Sequence, residues 1–84
     1  MKPSLHVRSN ITDDGLVLLD IRTGQIFSAN PVGARIWSAL EEGLPMATIV
    51  DRLVSETGAE RAVVERDAAE FVNTLKVRAL VAES

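Results

Sequence analysis

Gly15–Leu40, GLVLLDIRTGQIFSANPVGARIWSAL, holds a hairpin and the helix that covers it in one uninterrupted run. Val17, Leu18, Leu19 and Ile21 read as one strand, Thr23-Gly24 as the turn, and Gln25 to Ala29 as the return strand. From Pro31 the pattern is helical. Asn30 suits the N-cap, where its side chain accepts from the first free helical amides, and Pro31 suits N1, where the missing N–H would have had no partner. A strand thus runs directly into a capped helix. If the strand ending at Ala29 has no further neighbour, it leaves a row of amides and carbonyls free beside a helical layer, which is a place to receive an extended peptide.

Working outward, Leu5, His6, Val7 and Arg8 alternate apolar and polar like a short half-buried strand. Ser9 to Gly15, with Asn10, Thr12, Asp13, Asp14 and Gly15, reads as a turn cluster. Three strands joined by tight turns form an antiparallel meander with the central strand at Val17 to Ile21, so the return strand lies at an edge. In the first helix Val32, Ile36 and Leu40 fall on one face with Trp37 beside them, a stripe that packs on the hairpin. Glu41-Glu42-Gly43 closes it, with Gly43 as an αL cap. Met46, Ile49, Val50, Leu53 and Val54 define a second helix ending at Thr57-Gly58. Val63, Val64, Ala68, Phe71, Val72 and Leu75 define a third and longest helix over Ala59 to Ala79. Beyond it Leu80 and Val81 dock on the core while Glu83-Ser84 stay loose. The reading is α+β: a three-stranded antiparallel sheet followed by three helices, one domain over residues 1–84.

Composition excludes several functions. The 84 residues are 46% hydrophobic, which is globular rather than disordered. Cys is absent, so disulfides and thiolate metal sites are excluded, and the single His6 cannot build a zinc site alone. The chain has no Gly-rich phosphate loop and no nucleophile elbow, so no enzymatic activity, cofactor or metal is expected. No apolar run approaches bilayer length and the N-terminus MKPSLHVRSN lacks the apolar core of a signal peptide, which points to the cytoplasm. A small sheet with short helices also fits a winged-helix DNA reader. However, the net charge is −3, and the third helix interleaves Arg61, Arg66, Lys76 and Arg78 with Glu60, Glu65, Asp67 and Glu70, which would repel phosphate. Two alternatives remain: a module whose apolar groove holds a partner helix, and a dimer that pairs its own edge strands. Trp37 reads either as a stacking platform or as core.

From Leu5 to Leu80 the chain resembles the PqqD-like proteins, also called RiPP recognition elements. The resemblance is carried by the order and spacing of GLVLLDIRTGQIFSANPVGARIWSAL, IVDRLVSETGA and VVERDAAEFVNTLKVRALV. The Thr23-Gly24 turn, the Asn30-x-x-Gly33 spacing and the Ile36-Trp37 pair are most similar to the stand-alone precursor-recognition proteins of lasso-peptide biosynthesis. The chain departs from that pattern at Ser28-Ala29, where such proteins often carry something larger.

What the resemblance implies is a winged-helix-like fold that binds the leader of a ribosomally made precursor as an added strand beside the third strand and against the third helix. It also implies delivery of that precursor to a leader peptidase, a transglutaminase-like cysteine protease, and to an ATP-dependent lasso cyclase, with no nucleic acid or membrane as partner. The backbone of Gln25, Ile26, Phe27, Ser28 and Ala29 would supply the ladder, with either the odd or the even positions facing outward. Side-chain pockets would then be lined by Ile26, Phe27 and Ala29 on the strand and by Val64, Asp67, Ala68, Phe71, Val72 and Leu75 on the helix. Asp67, a carboxylate in an otherwise small and apolar groove, is either an acceptor for a leader group or a solvated partner of a neighbouring Arg.

Overall fold

The computed structural model describes residues 1–82. The elements are β1 (Lys2–Pro3), β2 (Val7–Thr12), β3 (Gly15–Asp20), β4 (Ile26–Ala29), α1 (Pro31–Glu41), α2 (Met46–Thr57), α3 (Arg61–Val77) and β5 (Val81–Ala82). An antiparallel sheet in the order β2-β3-β4 packs one face on the helices, so the expected meander and α+β class are observed. Three helices follow the three-stranded sheet in the expected order, with α3 the longest.

The alternation along β3 decides which face is which. Leu16, Leu18 and Asp20 point inward and are buried, while Val17 and Leu19 point to the open face of the sheet. Ile21, expected to continue the strand, is instead in the connecting turn and half exposed. The strand stops because Asp20 closes the turn: its carboxylate accepts from the Arg22 backbone amide at 2.9 Å, and its carbonyl accepts from Gly24 N–H at 2.7 Å. Burial pushes the Asp20 carboxyl up. The side-chain and backbone hydrogen bonds from Arg22, with the charges of Arg22 and His6, outweigh that and leave its pKa below the usual carboxylate value.

The first strand also differs from expectation. Leu5 is 94% exposed, and the strand begins at Val7 and continues through Asn10, Ile11 and Thr12, which pair with Val17, Leu16 and Gly15. Only Asp13-Asp14 forms the turn. Cross-strand pairing overrides the turn preference of Ser9 and Asn10 because β2 is an outer strand, where polar residues keep access to water.

Asn30 caps α1 as expected, its side-chain oxygen accepting from Gly33 N–H at 2.9 Å, with Pro31 in the first turn. The buried stripe of α1 is Ala34, Ile36, Trp37, Ala39 and Leu40; Val32, assigned to that stripe from the sequence, is 39% exposed and belongs elsewhere. Trp37 is core, 1% exposed, and is no stacking platform. Gly43 ends the helix in the left-handed region. Its N–H donates to Leu40 O and that of Leu44 donates to Ala39 O, the two bonds of a Schellman cap.

The C-terminal end of α3 repeats that cap without a glycine. Ala79 N–H donates to Lys76 O, Leu80 N–H donates to Leu75 O, and Ala79 itself sits at φ 57. The Ala79 carbonyl is held by Ser4 Oγ at 3.0 Å and by His6 Nε2 at 2.9 Å, so the role of His6 is to tie the N-terminal segment to the end of α3. Leu80 and Val81 are buried as expected, and β5 additionally pairs with β1. Glu83-Ser84 lie outside the described residues. An L-residue in this conformation carries a steric cost that glycine does not, so Ala79→Gly is expected to stabilise the domain by about 1 kcal/mol and raise its melting temperature by about 5 °C. A fall in the melting temperature would show that the Ala79 methyl contributes packing larger than the backbone cost.

Candidate functional site

β4 has no strand beyond it among the described residues, and the hydrogen bonds fix which of its backbone groups are free. Asp20 N–H donates to Gln25 O at 2.9 Å on the β4 side of β3, and Ile21 N–H donates to His6 O at 2.9 Å on the β2 side. Bonded pairs alternate along an antiparallel ladder. With Leu18 opposite Phe27 and Leu16 opposite Ala29, the N–H and C=O groups of Phe27 and Ala29 turn inward to β3. Those of Ile26 and Ser28 turn outward. The parity left open by the sequence is therefore even, and Gln25 lies just before the strand with its carbonyl already used.

Side chains alternate the other way. Phe27 and Ala29 face the helices, whereas Ile26, 66% exposed, and Ser28 lie on the open face of the sheet with Val17 and Leu19. The Phe27 ring meets that of Phe71 on α3 with centroids 6.1 Å apart and planes at 46°, and the Arg78 guanidinium carbon lies 5.2 Å from the Phe27 centroid. These contacts join β4 to α3 and its C-terminal end.

Beside them opens a cleft of about 500 Å³ between the start of α1, the end of α2 and α3. Its lining includes Val32, Gly33, Val63, Val64, Asp67, Ala68, Phe71 and Thr74. Gly33 is required for its shape: a Cβ there would lie 2.7 Å from Ala29 Cβ and 3.1 Å from Phe71 Cε1, so only glycine lets α1 approach β4 with the Phe71 ring in place.

Of the helical residues singled out from the sequence, the structure brings Val64, Asp67, Ala68 and Phe71 to this cleft and sends Val72 and Leu75 into the core, at 4% and 0% exposure. Asp67 keeps most of its side chain in water, with Arg66 Nε 3.7 Å away. Val32, Gly33, Val63 and Thr74 were not singled out as lining residues, nor was Arg78 as a neighbour of the strand. On α3 a signal existed: Val63, Asp67, Phe71, Thr74 and Arg78 recur at three- and four-residue steps, a second stripe alongside the buried Val64, Ala68, Val72 and Leu75.

The cationic side chains do not form a surface for phosphate. Arg52 pairs with Glu42, Arg35 with Glu56, and Arg61 with both Asp51 and Glu65. The Asp51 partnership, with that of Glu65, raises the Arg61 pKa although burial opposes it. Two of these pairs, Arg35–Glu56 and Arg52–Glu42, rim a second, smaller cleft of about 330 Å³ between Ile11, α1 and α2, away from β4. Among the described residues no helix is long and apolar enough to cross a membrane.

A two-layer α+β domain is thus defined, with a free edge strand joined to a helical cleft through Asn30 and the Phe27–Phe71 contact. Residues 15–81 match the family described as coenzyme PQQ synthesis protein D (PqqD). The chain belongs to the PqqD-like family of RiPP recognition elements. Two solved structures are similar over nearly the full length. One is TbiB1 in complex with the TbiA(beta) leader peptide, at 42% identity and a TM-score of 0.88, covering 99% of this chain and 100% of that one. The other is a lasso peptide synthetase B1 complexed with the leader peptide, at 33% identity and a TM-score of 0.88, covering 98% of this chain and 96% of that one. No curated protein sequence matches.

Proposed function

We propose that this chain is a non-catalytic leader-peptide-binding protein of lasso-peptide biosynthesis. It takes the leader as a further strand on β4, with alternate leader side chains entering the cleft against α3. The observation that carries this reading is the pair Ile26 and Ser28, whose backbone groups turn outward from β3 and meet no strand among the described residues, on the strand that leads through Asn30 into the cleft lining. The similarity to two proteins solved with leader peptides supports it. Ladder bonds supply affinity and register without regard to leader sequence, and the cleft supplies selectivity. Asp67, at the cleft and largely hydrated, is placed to accept from a leader donor. The loaded protein then presents the precursor to a leader peptidase and an ATP-dependent cyclase, and works in the cytoplasm.

Amide hydrogen exchange in the presence of a lasso-precursor leader peptide that binds this chain tests this. Adding the leader is expected to slow exchange at Ile26 and Ser28, while Phe27 and Ala29, already bonded to β3, change little. A partner helix lying in the cleft would leave Ile26 and Ser28 exchanging as before. A dimer through β4 would show both protected before any peptide is added. Either outcome excludes strand addition as proposed.

A further inference from the structure

Resting on that reading, we infer that Arg78 is a specificity-determining residue that selects an acidic side chain in the bound leader. Among the described residues the other arginines are engaged: Arg22, Arg35, Arg52, Arg61 and Arg66 each lie within 4 Å of a carboxylate, and Arg8 donates to the carbonyls of Leu5 and Val7. Arg78 has the face of Phe27 instead. That contact orients a planar cation while leaving its N–H fork free, the arrangement suited to a bidentate carboxylate. It does so at the free edge, because Phe27 is a β4 residue flanked by the outward-facing Ile26 and Ser28.

The position sets a geometric rule. Phe27 lies by Arg78, whereas Asn30 and Gly33 share the cleft with Asp67, so β4 runs antiparallel to α3. Asp67 lines the cleft, whereas Arg78 lies beyond the lining, at the end of α3 against Phe27, so a carboxylate and a guanidinium stand at opposite ends of the surface along α3. Eleven residue steps along the helix take Asp67 to Arg78, a rise of about 16 Å. An extended peptide covers about 13 Å in four residues and about 20 Å in six, and only residues an even number apart share a face. A leader on this edge therefore carries Asp or Glu four or six residues from the donor that meets Asp67. In a leader antiparallel to β4 the acid comes second, and in a parallel one it comes first.

A display library of fully randomised peptides about twelve residues long, selected on the wild-type protein, on Arg78→Glu and on Arg78→Gln, tests this. Wild type is expected to enrich Asp or Glu at one position of the aligned peptides, Arg78→Glu to enrich Lys or Arg there, and Arg78→Gln to enrich neither. For one selected peptide, replacing that acid by Lys should weaken wild-type binding by about tenfold and restore it on Arg78→Glu. Arg78→Gln, an exposed change at a helix end, serves as the folding control through its thermal melt. The same acidic preference in all three selections overturns the inference, as does no charge preference in peptides that still require the edge. Peptides that bind Ser28→Pro undiminished would instead overturn strand addition, and the role of Arg78 with it.

Discussion

Ser28→Pro is expected to fold normally and to lose about a hundredfold in leader affinity, whereas Ala29→Pro one position along should lose about 3 kcal/mol of stability. The Ser28 N–H points away from β3, so proline there costs the domain no ladder bond. It does remove a donor the added strand needs and puts a ring in the path of its backbone, an effect of about 3 kcal/mol on binding. The Ala29 N–H points to Leu16 and its loss is felt without any peptide, as a fall in melting temperature on the order of 15 °C. Proline also restricts the residue before it, but Phe27 and Ser28 are already extended. Ile26→Pro should repeat the Ser28 result; Phe27→Pro is a poorer comparison because it also removes the ring that packs on Phe71. Calorimetric binding and thermal melts of the variants decide the matter. If Ser28→Pro binds as well as wild type, the leader does not add to this strand.

Gly15→Ala is expected to cost about 4 kcal/mol, a large part of what holds a small domain together. Gly15 has φ 139, a conformation L side chains rarely adopt, and a Cβ there would run into the Ala29 carbonyl oxygen, a backbone atom with nowhere to go. The clash falls at the point where β3 meets the end of β4, so a residual folded population should also bind leader poorly. Gly24→Ala is the informative companion: φ is 76 and nothing lies within 4 Å of its added Cβ, so only the backbone cost of about 1 kcal/mol remains. Equal losses in the two variants, read from denaturant midpoints, would mean that the contact with Ala29 is relieved elsewhere.

Glycine spacing, capping and periodicity were sufficient to read the elements that position the site. Asn30-Pro31 announced the start of α1, Gly43 and Gly58 marked helix ends, and the run from Val17 to Ala29 implied a hairpin with an edge. These are properties of a few neighbouring residues, so they survive without knowledge of the rest of the chain. The places where local reading failed are those where a distant partner decides. Asn10 and Thr12 look like turn residues until β3 pairs with them. Val32 and Phe71 have the spacing of core residues, yet they line a cleft because α1, α2 and α3 do not close completely there. Ile21 has the composition of a strand residue, but the Asp20 carboxylate gathers the Arg22 amide and ends the strand before it.

By itself, then, the sequence determined the class of fold, the existence of a return strand ending at Ala29 with a free edge, and the exclusion of thiol chemistry, since each follows from residue type and short-range spacing. Only the tertiary structure decided that Ile26 and Ser28, rather than their neighbours, turn their backbone groups away from β3. A shift of register by one residue would reverse that parity while leaving the composition of every element unchanged. Tertiary structure also divided α3 into a buried face of Val64, Ala68, Val72 and Leu75 and a second stripe from Val63 to Arg78, and placed Arg78 over Phe27. The helix brings the end of α3 beside a strand about fifty residues earlier. No local pattern records that meeting, because it exists only once both elements have packed on the same core.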